Sequence, residues 1–243
     1  ALVATSQIAN LSSLQAANLS TKQVEWLSQN QGTNLSSDAI QALTSDQVAH
    51  LSIAAINSFT SDQIQSIDLV DFSKLTTRQI SSISDVTKLS IAQINALETS
   101  QVRALTKSQV SSLTSDQING MGAATLQALT TEQIISLDTT NQIANFTYNT
   151  LNSFTSTQIR ALESDQVQAL TSDQMNALTQ TTLNALTTKQ ITYLTYGNNS
   201  DQIDNLTKEQ FSLLTNSQLS ALTANQIPYV TDAQIEELTP NQL

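Results

Sequence analysis

Residues 162–194 read LESDQVQALTSDQMNALTQTTLNALTTKQITYL, which is nearly the same eight-residue repeat four times in succession. Each repeat starts at an apolar anchor followed by Thr or Glu, and it has Gln or Thr four residues and a second apolar residue five residues after the anchor. In a continuous α-helix, eight residues turn through about 800°, so the apolar pair drifts by about 80° per repeat and forms no buried stripe. In a strand, residues five apart point to opposite faces. The period therefore predicts a helix that is interrupted once per repeat.

The same repeat runs through the whole chain. The anchors are Val3, Leu11, Leu19, Leu27, Leu35, Leu43, Leu51, Phe59, Ile67, Leu75, Ile83, Leu89, Leu97, Leu105, Leu113, Met121, Leu129, Leu137, Phe146, Phe154, Leu162, Leu170, Leu178, Leu186, Leu194, Leu206, Leu214, Leu222, Val230 and Leu238. Irregular steps lie only near residues 83–89, 137–146 and 194–206. We therefore predict that residues 1–243 form a single repeat array. The chain begins within a repeat and ends at TPNQL without a polar capping repeat, which is typical of a segment from a longer array.

The residue types within the repeat are those of a helix start. In Thr-x-x-Gln, the Thr hydroxyl accepts a hydrogen bond from the N–H three residues later, and the Gln side chain accepts one from the Thr N–H. The anchor and the second apolar residue occupy the two positions of a hydrophobic staple. Acidic residues in the first turn face the positive end of the helix dipole. They are Asp46, Asp62, Asp116, Asp165, Asp173 and Glu209. Each repeat is therefore predicted to start a new helix of about two turns.

We predict an all-α solenoid of very short capped helices, one per eight-residue repeat, elongated along the whole chain. A helix so short is marginal alone because nucleation is unfavourable, so each must bury its apolar residues against neighbouring repeats. Small residues before the anchors, such as Ala104 and Ala169, favour a close approach of consecutive helices. The repeat carries no longer period, so two and three helices per turn, and both hands, stay open.

Small-angle scattering is expected to distinguish this solenoid from a globule. A compact domain of this length has a radius of gyration of about 18 Å. About thirty helices spaced about 8–10 Å apart form a stack of about 140 Å with two helices per layer or about 95 Å with three, and the corresponding radii of gyration are about 40 and about 27 Å. A measured value close to that of the compact domain would contradict the elongated solenoid.

Composition and charge exclude several classes of partner. The chain is 39% hydrophobic but has only 4% aromatic residues, 4 Gly and 2 Pro, which is unlike a turn-rich β protein or a disordered polar tract. A net charge of −11 repels phosphate backbones and anionic headgroups, so we expect no nucleic acid and no membrane surface as partner. No apolar run approaches the roughly 20 residues of a membrane-spanning helix, and no signal-peptide pattern is visible. The absence of Cys excludes disulfides and thiolate metal sites.

The sequence predicts no catalytic, cofactor-binding or metal-binding residue, and no cofactor. His50 is the single histidine and stands where other repeats have Ala or Ser, which favours a surface substitution over a catalytic base. The Asp residues occur one per helix start and are interpreted as caps, because no calcium loop surrounds them. Gly120–Gly122 replaces a cap Thr and does not form a phosphate loop. Trp26, Tyr193 and Tyr229 share the position before the anchor, where filling a groove between helices is favoured over forming exposed contact spots.

The repeat Leu-Thr-x-x-Gln-Ile-x-x-Leu resembles the ALTTxQIxAL arrays of very large secreted bacterial surface proteins of adhesin type. The resemblance extends from Val3 to Leu243. It implies a stalk, spacer or adhesive segment that is secreted or attached to the bacterial cell surface, with neighbouring domains of a larger protein as its partners. Such arrays are sometimes associated with haem use, but one His and two Met give that use no support here.

Two classes of function follow from these observations. A structural repeat segment is favoured, because the outward positions are uniformly polar and carry no concentration of unusual residues. The alternative is an α-solenoid scaffold that binds a protein, peptide or glycan at a cell surface. We predict no enzyme activity, since reactive side chains are not clustered in the sequence.

Overall fold

The structure is a computed structural model that describes residues 5–197 and 201–243. The described residues form 26 α-helices and three 3-10 helices and contain no strand. Each α-helix has four to six residues. These elements confirm the prediction of an all-α repeat protein with one short helix per repeat.

The helices follow one another along the chain with two or three residues between most of them. The first half contains α1 Thr5–Ile8, α2 Ser13–Ala17, α3 Thr21–Glu25, α4 Gln29–Asn34, α5 Ser37–Gln41, α6 Ser45–Ala49, α7 Ile53–Ser58, α8 Ser61–Gln65, α9 Leu69–Phe72, α10 Thr77–Ser82, a 3-10 helix Val86–Lys88, α11 Ile91–Ala96, α12 Thr99–Ala104 and α13 Lys107–Ser112. The second half contains α14 Ser115–Asn119, α15 Ala123–Ala128, α16 Thr131–Ile135, a 3-10 helix Ile143–Asn145, α17 Tyr148–Ser153, α18 Ser156–Ala161, α19 Ser164–Gln168, α20 Ser172–Asn176, α21 Gln180–Ala185, α22 Thr188–Ile191, α23 Gln202–Asn205, α24 Lys208–Ser212, α25 Asn216–Leu219, a 3-10 helix Ile227–Tyr229 and α26 Asp232–Glu236.

Contacts divide these helices between two compact units. The first compact unit is Ala1–Leu113 with Gly120–Ala128, which includes α1 to α13 and α15. The second is Thr114–Asn119 with Leu129–Leu243, which includes α14 and α16 to α26. The same repeat geometry is found within each of them.

Two extended residues separate many consecutive helices. Leu105 ends α12 with φ −57° and ψ 130°, and Thr106 starts α13 with φ −71° and ψ 158°. The Thr106 hydroxyl accepts from the Gln109 N–H, and this cap fixes the chain in an extended conformation before the next helix. Among the described residues, only Gly197 has a positive φ, of 94°. The turns therefore need no glycine, which explains why the chain contains so few.

Most helices pack against a helix three repeats away along the chain. Within the first compact unit α4 packs on α7 and α2 on α5, and within the second α18 packs on α21. Side-chain hydrogen bonds, described below, join repeats that are four apart. Because a helix packs on the helix three repeats away and is hydrogen-bonded to the helix four repeats away, one turn of the solenoid contains between three and four helices within each compact unit. The alternative of two helices per turn, which the sequence left open, is therefore wrong.

The core of each compact unit is made of the anchors and the second apolar residues. The anchors from Leu27 to Leu214 are buried, whereas Leu11, Leu19 and the last three anchors are half-buried. Among the second apolar residues, Ile80 and Ile134 are fully buried. The anchor and staple positions predicted from the sequence thus form the core.

The two longer irregular steps keep their caps. In the second step one residue is inserted, and the Asp138 N–H still donates to the Gln142 side chain at 2.7 Å. In the third step the insertion is longer, yet the Thr195 N–H donates to Gln202 Oε1 at 3.0 Å and the Gln202 N–H donates to Thr195 Oγ1 at 3.1 Å. In both steps the inserted residues therefore lie between the cap residue and the Gln that completes its cap.

Gly32 stands at the position of the second apolar residue in α4, where α4 approaches α7 closely. A Cβ at this position would lie 2.9 Å from Ala55 Cα and 3.0 Å from the Ala55 carbonyl oxygen, which is backbone that cannot move without displacing α7. We expect Gly32→Ala to destabilise the chain by about 1–3 kcal/mol, the usual cost of overpacking, measured by urea titration.

Gly122→Ala is the matched control for that substitution. A Cβ on Gly122 meets only Asn95 Oδ1, at 3.7 Å, which is an ordinary contact. Its expected cost is about 0.5–1 kcal/mol, the difference between Gly and Ala at a cap position. Equal effects of the two substitutions would contradict the close α4–α7 packing.

Candidate functional site

Most repeats contain one side-chain amide that forms hydrogen bonds in two directions. In Gln79, Oε1 accepts from the Thr76 N–H at 2.7 Å and completes the cap of its own helix. Nε2 of the same residue donates to the carbonyls of Val48 and Leu51, at 3.1 and 2.9 Å, at the end of the helix four repeats earlier. The Gln79 side chain is buried. We call this arrangement a glutamine clamp.

Glutamine clamps recur in both compact units with equivalent partners. In the second compact unit, Gln190 Nε2 donates to the carbonyls of Ile159 and Leu162 at 2.8 Å each. The glutamines that donate in this way include Gln47, Gln63, Gln79, Gln93, Gln101, Gln109, Gln158, Gln166, Gln174, Gln190, Gln202, Gln210, Gln218, Gln226, Gln234 and Gln242. The repeats are thus joined by a ladder of buried amides.

The clamps matter because very short helices have few internal hydrogen bonds. Every α-helix leaves four N–H groups and four carbonyls without an intrahelical partner. In a helix of four to six residues these are most of its backbone polar groups. Leaving one such group buried and unpaired costs about 1–3 kcal/mol. Each clamp satisfies the start of one helix and the end of another, so the stability of each repeat depends on the repeat four positions away.

The cap of α20 provides a direct test of the intra-repeat half of the clamp. The Gln174 N–H donates to Thr171 Oγ1 at 3.2 Å, and the Thr171 N–H donates to Gln174 Oε1 at 2.8 Å. Thr171→Ala is expected to cost about 1 kcal/mol in unfolding free energy, because the N–H of Gln174 loses its acceptor. The control is Thr188→Ala, at an exposed position in the first turn of α22 that does not cap the helix. This substitution should be neutral within about 0.5 kcal/mol.

Asparagine replaces glutamine as the connector in several repeats. Asn152 Nδ2 donates to the Ala177 carbonyl at 2.9 Å, three repeats further on, and its Oδ1 accepts from the Thr179 N–H at 2.9 Å, in the repeat after that. The repeat that starts at Leu178 has Thr182 where other repeats have the clamp glutamine. The amide that completes its cap therefore comes from another helix. Asn95 and Asn119 form equivalent bonds at repeats that also have Thr at the glutamine position.

Two connectors compete at one repeat of the second compact unit. The Thr207 N–H donates to Asn176 Oδ1 at 3.0 Å, so it is not available to Gln210. As a result Gln210 Oε1 is buried without a hydrogen-bond partner, while its Nε2 keeps the bonds to the Asn176 and Leu178 carbonyls. Where only one half of the clamp can form, the half that joins two repeats is retained.

Shallow grooves lie on the surface between helices. One, of about 410 Å³, is lined by residues 160–164 together with Thr187, Lys189 and Tyr193. Another, of about 210 Å³, has the same position relative to the repeats and is lined by His50 and Arg78 among others. Because the grooves recur at equivalent places with different side chains, they follow from the packing of the helices. They do not share one set of binding residues.

Most titratable residues, but not the buried Asp201, lie at the surface as separate groups. His50 is exposed, and its Nδ1 lies 2.7 Å from the Asp46 carbonyl oxygen in its own helix. The acidic residues predicted in first turns lie there, as the start of α6 with Asp46 illustrates. The hydrogen bond from Lys208 to Glu237, at 3.2 Å, raises the pKa of Lys208. Within residues 5–197 and 201–243, no group of three His, Asp or Glu side chains is placed to hold a metal ion.

The interpretation of the aromatic residues as groove fillers is wrong for two of the three. The side chain of Trp26 is 67% exposed and that of Tyr229 is 39% exposed, whereas Tyr193 is half-buried in the groove beside Lys189. The position before the anchor is the last residue of the repeat, and it is buried where it carries a small residue, as at Ala128 and Ala185. Tyr229 instead contacts Tyr196, with ring centroids 5.3 Å apart.

The inter-repeat half of the clamp was not predicted, although the sequence contains a signal for it. A capping box accepts Glu as well as Gln at its last position, and the helix dipole favours Glu there. The position nevertheless never carries Glu in this chain, where Gln, Ala or Thr usually stands. Only an amide offers an N–H in addition to the capping oxygen. The absence of Glu therefore indicates a required donor.

Comparison with known proteins agrees with this repeat geometry. A family model described as the ALTTAQ repeat matches residues 86–122 and 151–180. No curated protein matches the chain. The matched segments include the clamps of Gln93, Gln101 and Gln158, so the chain contains a repeat region similar to the ALTTAQ repeat. In the part of the chain that the structure describes, no helix has the length and apolar character needed to cross a membrane.

Proposed function

We propose that this chain is a structural segment, a stalk, spacer or adhesive region, of a secreted or surface-attached bacterial protein. The observation that carries the proposal is the ladder of glutamine clamps. It uses the polar side chains that are buried, such as Gln93 and Gln166, to join repeats to one another. The match to a repeat family supports a structural repeat region, and the secreted location rests on the resemblance of the repeat to bacterial surface arrays.

Antibody labelling of intact bacteria tests the location. An antibody raised against this chain is expected to label intact cells, or the medium, as strongly as it labels permeabilised cells, while a cytoplasmic protein is labelled only after permeabilisation. Labelling that appears only after permeabilisation would overturn the surface assignment.

The role as a spacer is tested against the alternative, a scaffold that binds a protein, peptide or glycan. The groove with Arg160, Lys189 and Tyr193 is one candidate site for such a ligand. A spacer works through its length, so replacing these three residues by Ala should leave attachment of the cells unchanged, whereas deleting a run of repeats should reduce it. Loss of attachment in the triple variant, with folding retained, would favour the binding scaffold.

A further inference from the structure

Some repeats in the interior of the array depart from the octad in pairs that lie four repeats apart. The first member of each pair has Asn six residues after its anchor. The second member has no glutamine at the clamp position. Asn57, Asn95, Asn119 and Asn152 are thus followed, four repeats later, by the repeats that begin at Ile83, Met121, Phe146 and Leu178.

The four pairs form the same hydrogen bond across the solenoid. Asn57 Oδ1 accepts from the Ser84 N–H at 2.9 Å, and Asn95 Oδ1 accepts from the Gly122 N–H at 2.8 Å. The two pairs in the second compact unit form the equivalent bond at 2.9 Å each. The donor is always the N–H of the residue after the anchor, which is the group that a clamp glutamine accepts from in its own repeat. Each pair lies within one compact unit.

Threonine at the clamp position fits this replacement. The Thr125 hydroxyl donates to Asn95 Oδ1 at 3.1 Å, and the Thr150 hydroxyl donates to Asn119 Oδ1 at 2.8 Å. Both Thr side chains are buried. A side chain that is shorter than glutamine therefore leaves the cap N–H to the asparagine and also binds its oxygen.

Where both amides are present, only one of them is used. Asn176 takes the cap N–H from Gln210, as described above. One repeat later the outcome is reversed: the Thr215 N–H donates to Gln218 Oε1 at 2.9 Å, and among the described residues the buried Asn184 Oδ1 has no hydrogen-bond partner. Asparagine and glutamine are therefore alternatives for one N–H group, and the second amide is redundant.

We propose that the four pairs are register keys, which fix the repeats that meet in the solenoid. The octad itself offers the same groups everywhere, so only repeats that depart from it can select a partner. If the repeat with Thr182 were displaced by one repeat, Arg160 would replace Asn152 opposite the Thr179 N–H. A guanidinium has no acceptor, so this N–H would be buried without a partner. The displaced Asn152 would meet a repeat whose cap already uses Gln190.

Urea titration of the whole chain, followed by circular dichroism, tests the proposal through one key. Asn152→Ala should raise the unfolding equilibrium constant about tenfold or more, because the Thr179 N–H loses its acceptor. Adding Thr182→Gln should reverse most of that rise, since the introduced amide can complete the cap and donate to the carbonyls of Leu151 and Phe154. Thr182→Gln alone should have little effect, because Asn152 already holds the N–H.

Two controls separate a register key from a side chain that merely packs. Asn184→Ala is the same substitution at the equivalent position, and it should change the equilibrium constant by no more than about twofold, because its Oδ1 is unpaired. Arg160→Asn added to Asn152→Ala moves the asparagine by one repeat. It should restore nothing, because the cap four repeats after Arg160 has its own glutamine.

The pair Asn119→Ala and Thr150→Gln repeats the measurement at a second key, where the introduced side chain meets different neighbours. Rescue by glutamine in at least one of the two pairs, with a neutral Asn184→Ala, is the expected result. The proposal is overturned if glutamine rescues neither pair, if Asn184→Ala is as damaging as Asn152→Ala, or if the displaced asparagine rescues as well as the glutamine.

Discussion

Replacing Gln79 by Glu is expected to lower the free energy of unfolding by about 3–5 kcal/mol, the range for leaving a buried charge without a partner. Glu keeps the oxygen that accepts from the Thr76 N–H, so the cap within the repeat survives. It loses the N–H groups that reach the Val48 and Leu51 carbonyls, and it places a carboxylate against those oxygens. Urea titration followed by circular dichroism measures the difference.

Gln15→Glu is the matched control, because Gln15 forms the same cap but, among the residues that the structure describes, no bond to another repeat. Its expected effect is within about 0.5 kcal/mol of zero, and a carboxylate near a helix start is itself mildly favourable. If Gln79→Glu were as mild as Gln15→Glu, the inter-repeat half of the clamp would contribute nothing to stability.

The effect of Gln79→Glu is also expected to depend on pH. A buried carboxyl that faces two carbonyls is favoured in its protonated form, so its pKa in the folded chain should lie above the ordinary value of about 4.3. The folded state then retains a proton that the unfolded state releases, and stability falls as pH rises between the two pKa values. The difference from the wild-type chain should therefore be smaller at about pH 4 than at about pH 7.

Ile134→Ala is expected to cost about 2–5 kcal/mol, the range for truncating a buried Ile. Ile134 is fully buried at the second apolar position of α16. The helix is only five residues long, so it has little other apolar surface with which to compensate. The loss should be visible by the same urea titration.

Ile235→Ala removes the same atoms from the same repeat position in α26. That side chain is 44% exposed, so the expected cost is about 1 kcal/mol or less. Equal costs for the two substitutions would show that the second apolar residues of the repeats do not form the core of the second compact unit.

The local structure could be predicted from the sequence because its causes lie within a few residues. Thr106 and Gln109 are three residues apart, and their mutual hydrogen bonds need nothing from the rest of the chain. The staple positions are equally local, and Ile80 and Leu105 are buried as the repeat requires. Even the inserted residues before Gln202 leave its cap intact, since the cap depends only on which residues meet.

The sequence by itself determined that helices start every eight residues, how they are capped and which residues are apolar. Only the tertiary structure decided which repeats meet. The packing of α4 on α7 depends on Gly32 and Ala55, which are far apart in the sequence and fit because neither has a large side chain. The second role of Gln79, towards Val48 and Leu51, likewise requires a helix from four repeats earlier. An octad that is nearly identical everywhere specifies each helix but not its neighbour, because every repeat offers the same donors, acceptors and apolar residues to every other.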